Sequence, residues 1–500
     1  MSSKVNSIGL KGLEGYIVQV EVQVMDGMES VVIVGLPDAS VKESKERVSA
    51  ALHSMGYQLI DKKVIVNLSP SEVKKNGPLF DLAIALGILK SGDFIKRRLP
   101  TDCAFIGALS LDGSVVPVEG MLPAILAAKK LNVKKLFLPY DPTIPQIDLD
   151  ELELVYISTL QDVIDQLHGK SPFPFIPKKS KVEEKPMIEK DFNQIIGHEF
   201  AKRALEIAAA GGHYVMMDGP PGCGKSLLAE TFPSILPPLS NEAQLEKVSL
   251  YQLAGAPYDS IMLPPFRQPH HSASAVSIIG GGTNPKPGEV SLAHHGVLFL
   301  DELAEFTKKT LDMLRQPLEN KKVTISRVHS TVTYPANFIF IAAMNPCPCG
   351  YLGSNKHYCS CTENQIKSYQ NRVSGPIRDR IDILFSLRPV NLKEHNFQDI
   401  ESSRAIQKRV MKAREKQYER FGTKAWNANV PFETLIRASP LSESQQQNVQ
   451  HLCAKEGLSN RVQIKLIRLA RTISDVNGSD QITDEAIEEA VKLRGITYVN

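Results

Sequence analysis

The run Gly219-Pro-Pro-Gly-Cys-Gly-Lys-Ser226 sets a lysine and a hydroxyl directly behind a glycine-rich turn. Glycine lets the backbone wrap closely enough for its N–H groups to face phosphate oxygens, and a following helix N-terminus adds a favourable field. In this G-x-x-x-x-G-K-[ST] pattern Lys225 reaches the β- and γ-phosphates of a nucleotide and Ser226 ligates Mg²⁺. Gly219, Pro220, Pro221, Gly222, Cys223, Gly224 and Leu227 complete the cradle. Downstream, Asp301 and Glu302 follow four apolar residues. Asp301 suits Mg²⁺, directly or through water, and Glu302 suits orienting and deprotonating a water. Asn345 offers a neutral amide that can position that water or sense the γ-phosphate. Arg378 and Arg380, in Ser374–Asp382, supply guanidinium groups able to stabilise phosphoryl charge.

Cysteine makes a second constellation. Cys347 and Cys349, then Cys359 and Cys361, form two C-x-C pairs just after Asn345. Four thiolates can build a closed tetrahedral Zn²⁺ site, although the usual knuckle spacing is C-x₂-C; reduced free thiols are the alternative. The pairs His270-His271 and His294-His295 have no partner acid at a telling spacing, which argues against a metal there.

These groups need elements to present them. His213–Asp218 reads as the strand before the phosphate loop, the segment from Leu227 as the helix after it, and Ala201–Ala210 as the helix before it. Val297–Leu300 and Phe338–Met344 read as buried strands that deliver Asp301, Glu302 and Asn345 at their C-terminal ends, where α/β sheets place ligands. The ATPase-type core spans 191–388, with an insert at about 250–290 and a cysteine loop at 346–362. Phe266–Ser274 and Ile278–His295 resemble the helix-2 insert of the chelatase and MCM branch of AAA+ proteins, which projects toward a ring's channel. That resemblance implies that Arg267, His270, His271 and Lys286 could track a nucleic-acid backbone. Residues 389–500 are helical in pattern, punctuated by Pro431 and Pro440.

Residues 1–168 form a separate α/β pattern. Strands are expected at Tyr16–Val24, Val31–Val34 and Lys63–Leu68, and helices at Ser40–Met55, Leu79–Leu89 and Leu122–Leu131. Lys74-Lys75 and Lys96-Arg97-Arg98 read as a nucleic-acid contact or as a solvated basic edge. Pro and charge without periodicity mark 169–190 as a linker.

Bulk composition narrows the class. The 500 residues are 42% hydrophobic and 23% charged, which fits a multidomain globular chain. A net charge of +3 leaves any nucleic-acid partner to a local basic surface. The N-terminus lacks a signal-peptide pattern, and no apolar run is long enough for a bilayer. With seven cysteines and no export signal, a reducing cytoplasmic setting without a disulfide framework is expected.

Two resemblances follow from these motifs. Ile106–Lys129 and Asn76–Asp81 resemble the proteolytic domain of Lon-type proteases, a ribosomal-S5-like fold. That family pairs a serine with a lysine. The two positions fall near Leu79 and on Leu122 here, which implies a non-proteolytic relative. Nearly the whole chain resembles the ComM/YifB-type magnesium-chelatase-like AAA+ proteins of bacteria. Gly219–Ser226, Phe266–Ser274, Pro287–Glu302, Asn345–Tyr351 and Ser374–Asp382 carry that match.

The resemblance implies a homo-hexameric ring hydrolysing ATP with Mg²⁺. It also implies a branch-migration helicase on single-stranded or branched DNA in natural transformation or homologous recombination, alongside other recombination proteins. Site roles follow from it too. Ile196 lies against adenine, and Arg380 is a finger reaching a neighbouring subunit's γ-phosphate. Arg461 is the second sensor on a helical lid that clamps the nucleotide, with Arg468 and Arg471 as lesser substitutes. Rival readings are a metal-chelatase motor and a protein-remodelling ring. Against the first, chelatase ATPase subunits are not expected to carry this N-terminal domain or the double C-x-C loop.

Overall fold

A computed structural model describes residues 2–97, 99–145, 151–170, 190–327, 330–354, 357–390, 400–422 and 425–495. Most of the expected linker, the start of the helical region and Arg98 therefore lie outside the described residues.

The functional half is built on a five-stranded parallel sheet. Its order is Phe266–Arg267, Val297–Leu300, Ile339–Met344, Val215–Asp218, Ile383–Ser386. Both faces are covered, so the central strands Val297–Leu300 and Ile339–Met344, and Val215–Met217 beside them, are apolar throughout rather than alternating. Val215, Met217, Val297, Phe299, Ile339 and Ile341 enter one core, and Met216, Leu298, Leu300, Phe340 and Ala342 enter another. The first core also contains Ala413, Leu466, Leu469 and Ile473 of the C-terminal helices. The helical region, with helices Ser403–Phe421, Phe432–Ala438, Glu443–Lys455, Asn460–Val476 and Asp484–Leu493, thus shares one interior with the sheet.

Polar ties reinforce that union. Arg414 donates twice to the Ala209 carbonyl, at 3.0 and 2.7 Å, and stacks over Trp426. Lys465 reaches Asp382 Oδ1 and the Arg380 carbonyl, both at 2.6 Å.

Amino-terminal to the sheet, strands Ser2–Lys11, Glu14–Asp26, Lys62–Ser69 and Ser30–Val34 pair in that order, the last pair parallel. Helices Ala39–Ser54, Asp81–Ser91 and Met121–Lys130 pack into their core, and Cys103–Phe105, Lys135–Pro139 and Glu153–Ile157 form a smaller parallel sheet. Asp38 caps the first helix by accepting from the Val41 N–H at 2.8 Å. Leu79 and Leu122, at the two positions a Lon-type dyad would take, are 4% and 0% exposed.

Two expectations change. Phe266–Arg267 is the edge strand of the core sheet, not part of an insert at 250–290. What interrupts the layout is a two-stranded ribbon, Gly280–Gly281 with Lys286–Pro287, between the helices Ala275–Ile279 and Glu289–Leu292. A hairpin at Lys322–Arg327 and Ser330–Pro335 was not anticipated. Among the described residues no helix is long and apolar enough to cross a membrane.

Candidate nucleotide-binding site

Strand Val215–Asp218 runs straight into the phosphate loop, which opens the helix Lys225–Thr231. Gly222 and Gly224 have φ of 75° and 91°, a left-handed region that other residues enter at a cost, so the loop's curl depends on glycine there. Lys225 is 8% exposed. Its Nζ donates to the carbonyls of Gly219 and Pro220 at 2.6 and 3.0 Å and to Asn345 Oδ1 at 3.2 Å. Ser226 Oγ donates to Asp301 Oδ2 at 2.8 Å, and Asp301 Oδ1 accepts the Glu302 N–H at 2.8 Å. Three adjacent parallel strands therefore bring Lys225, Ser226, Asp301 and Asn345 together at their C-terminal ends. A hydroxyl touching a carboxylate is a hard oxygen donor set, which fits Mg²⁺.

Glu302 stands in the left-handed region, φ 50°, and its Oε2 lies 3.2 Å from His271 Nδ1. His271 follows the edge strand, so strand pairing, rather than sequence proximity, makes that contact. Ile196 is half-buried in the turn that continues through Gly197 and His198. A Cβ on Gly224 would meet His198 Nε2 at 3.5 Å, which sets this turn against the phosphate loop.

The arginines stand elsewhere. Arg380 and Arg461 line one cavity of ≈ 380 Å³ with Tyr214, Lys321, Lys465 and Arg468. Tyr214 precedes strand Val215–Asp218 and the phosphate loop follows it, so about 13 Å of extended chain separates the two places. Arg380 donates to Pro376 O at 2.6 Å and pairs with Glu319 at 2.5 Å. Arg461 is exposed and has no hydrogen bond or ion pair among the described residues. Arg461 thus lies beside Arg380, with strand Val215–Asp218 between their cavity and the phosphate loop of the same chain. Of the substitutes, Arg468 binds the carbonyls of Ala428 and Val430 at 2.9 and 2.7 Å, and Arg471 is buried against Asp475.

Cys347, Cys349, Cys359 and Cys361 converge, with all four sulfurs within 4.8 Å of one another. The histidine pairs resolve differently. His294 and His295 do have an acid, Glu246, whose Oε2 lies 3.0 and 2.7 Å from their Nε2 atoms. That carboxylate is held well below its ordinary range by these hydrogen bonds. His294 Nδ1 accepts the Asn337 N–H at 3.0 Å. Its Nε2 must therefore carry the proton and donate to Glu246, which leaves no lone pair there for a metal.

Several basic residues read as nucleic-acid contacts are engaged inside the protein. Arg267 is paired with Glu289 at 2.5 and 2.8 Å. Lys75 is fully buried and donates to the Pro70 carbonyl, so it forms no part of a basic edge. Lys286 reaches Glu119 at 3.0 Å, Lys74 reaches Asn284 at 3.2 Å, and Arg97 reaches the Leu167 carbonyl at 3.0 Å. Lys286 and Arg97 are exposed despite these contacts, as are His270 and Lys96.

Comparison with known proteins agrees with this layout. The family described as "Magnesium chelatase, subunit ChlI" matches residues 191–395. "Subunit ChlI of Mg-chelatase" matches 20–142, and "Magnesium chelatase, subunit ChlI C-terminal" matches 400–494. The match at 20–142 overturns the expectation that an N-terminal domain of this kind sets the chain apart from chelatase subunits. YifB of Salmonella typhimurium is 37% identical over 96% of this chain and 94% of its own. The competence protein ComM of Haemophilus influenzae is 37% identical over 97% of this chain and 96% of its own. Lon protease 2 of Bacillus subtilis is 31% identical over 134 residues, covering 26% of this chain and 23% of the protease. Matched over 96 to 97% of its length by relatives 37% identical to it, the chain belongs to the ComM/YifB-type magnesium-chelatase-like family.

Proposed function

We propose that the chain is an ATP-hydrolysing AAA+ motor that acts as a homo-hexameric cytoplasmic ring on single-stranded or branched DNA. Its role is that of a branch-migration helicase in natural transformation or homologous recombination. The division of the site carries the ring reading. Lys225, Ser226, Asp301, Glu302 and Asn345 gather at one end of the sheet, and Arg380 with Arg461 line a cavity at the other. A second copy that turns its arginine-lined end toward the phosphate loop completes both halves.

Within a chain, Ser226 and Asp301 would hold Mg²⁺, which screens phosphate charge when bound. Lys225 binds the β- and γ-phosphates, Asn345 orients the γ-end and Glu302 accepts the proton of the attacking water. Ile196 supplies apolar area for the base. Arg380 and Arg461 act across the seam. The DNA assignment is supported by similarity to a protein named for competence. The chelatase descriptions favour a second reading, a motor for metal insertion with partner subunits. We read the four cysteines as a structural Zn²⁺ centre.

The test is ATP turnover with single-stranded, duplex and branched DNA, with assembly size read by mass measurement. DNA stimulation of a hexamer supports the helicase. Stimulation by a chelatase partner or a protein client alone, or full turnover by a monomer, rejects it.

A further inference from the structure

Between Asn345 and Thr362 the described residues contain no helix or strand, yet this stretch lies against the phosphate loop. Gly350, with φ of 84°, turns so closely that an added Cβ would stand 2.9 Å from both Cγ and Cδ of Pro221 and 3.9 Å from Asn345 Cγ. The turn is closed by the Gly350 N–H donating to Cys347 O at 3.0 Å. It is tied to helix Glu363–Gln370 by Gln370 Nε2 on the Pro346 carbonyl at 3.1 Å. Such a loop needs a cross-link to keep its shape.

The sulfurs supply the means. Cys347 Sγ lies 3.4 Å from Cys349 Sγ and 3.7 Å from Cys359 Sγ, and Cys349 to Cys359 is 3.6 Å. A disulfide needs about 2.05 Å. A tetrahedron of sulfurs at about 2.3 Å from Zn²⁺ has edges of about 3.8 Å, close to what is observed. The Leu352 N–H points at Cys347 Sγ at 3.4 Å.

We propose that Cys347, Cys349, Cys359 and Cys361 bind one Zn²⁺ and that the loop so closed braces Pro221 and Asn345, making nucleotide affinity depend on the metal. The bracing rests on the nucleotide-site reading above; the metal site does not. Zinc closes the loop, the loop fixes the phosphate-loop flank at Pro221 and the amide that Lys225 contacts, and loss of the ion frees both.

The full chain purified under reducing conditions should carry about one zinc by elemental analysis. Its Co²⁺-exchanged form should show the absorption of a tetrahedral thiolate centre. The double variant Cys359→Ser/Cys361→Ser should lose the ion and bind a fluorescent ATP analogue about tenfold more weakly or worse. Gly350→Ala keeps every thiol but presses on Pro221 and strains the turn at φ 84°, so it should retain zinc, read by elemental analysis, and still bind nucleotide less well, whether or not the double variant folds. Lys225→Ala should keep its zinc. Wild-type protein without zinc and without the Co²⁺ signature overturns the proposal. Unaltered nucleotide affinity in the folded zinc-free variant or in Gly350→Ala overturns the brace. Zinc-bearing wild type that binds no nucleotide overturns the nucleotide reading and the brace with it, and leaves the metal site standing.

Discussion

Glu302 reaches its place through a left-handed backbone turn and rests its carboxylate on His271. Glu302→Gln keeps the shape and removes the base, so phosphate release should fall by about 10²–10⁴-fold while nucleotide binding persists. Steady-state turnover beside a binding titration separates the two. His271 restrains the carboxylate without touching the phosphate-loop residues. His271→Ala should therefore raise turnover in the absence of DNA and leave KM for ATP unchanged; a parallel rise in KM would show that the ring supports binding instead. The two residues differ in legibility for a physical reason. Lys225, Ser226 and Asp301 belong to local spacings that the chemistry itself fixes, and those spacings are visible in the chain. His271 meets Glu302 only because strands Phe266–Arg267 and Val297–Leu300 lie side by side, and Glu246 meets His294 and His295 by a similar tertiary accident. No periodicity announces such contacts.

Between elements, the helical region is fastened to the sheet by a buried charge pair. Asp382 accepts the Tyr214 N–H at 2.9 Å and Lys465 Nζ at 2.6 Å. Burial alone would raise its pKa; Lys465 and His213 outweigh that and hold the carboxyl far below its ordinary range. Removing the acid leaves the largely buried Lys465 without a counter-charge, its remaining partner being the Arg380 carbonyl, so Asp382→Ala should cost about 3 kcal/mol, read from the denaturant midpoint. The sign of the pH effect follows. The native pKa is below the unfolded value of about 3.9, so the contribution is complete above that pH and fades as pH falls through the acid range. Asp382→Asn should flatten this part of the stability profile. The strands and helices of the first domain were legible where burial alternates cleanly, as in Glu14–Asp26. Strand Ser2–Lys11 escaped because Ser3 and Ser7 occupy inward positions, satisfied by the carbonyls of Gly87 and Phe105 at 2.7 and 2.8 Å. Phe266–Arg267 escaped because two residues carry no period at all; only its pairing with Val297–Leu298 makes it a strand.

At the scale of the molecule, the first domain is docked on the ATPase-type module. The Leu122 N–H donates to Gln252 Oε1 at 3.0 Å, and Tyr258 OH donates to the Thr143 carbonyl at 2.9 Å. Leu122, at the start of helix Met121–Lys130, thus forms part of the joint between the two. The same scale decides the arginines. If Arg380 and Arg461 serve a neighbour's nucleotide, a chain that cannot bind phosphate can still lend its arginine, and a chain without the arginine can still bind. Lys225→Ala alone and Arg380→Ala alone should each lose at least about 10³-fold in turnover. Mixed before assembly in equal amounts, they form seams of four kinds, and only an Arg380→Ala phosphate loop facing a Lys225→Ala neighbour has both groups. About a quarter of the seams in a random ring then meet that requirement, so the mixture should recover activity that neither parent has. Arg461→Ala should complement Lys225→Ala in the same way. If mixing restores nothing while mass measurement shows mixed rings, the arginines act within their own chain, and a rotation that carries the helical region over its own phosphate loop must replace the seam.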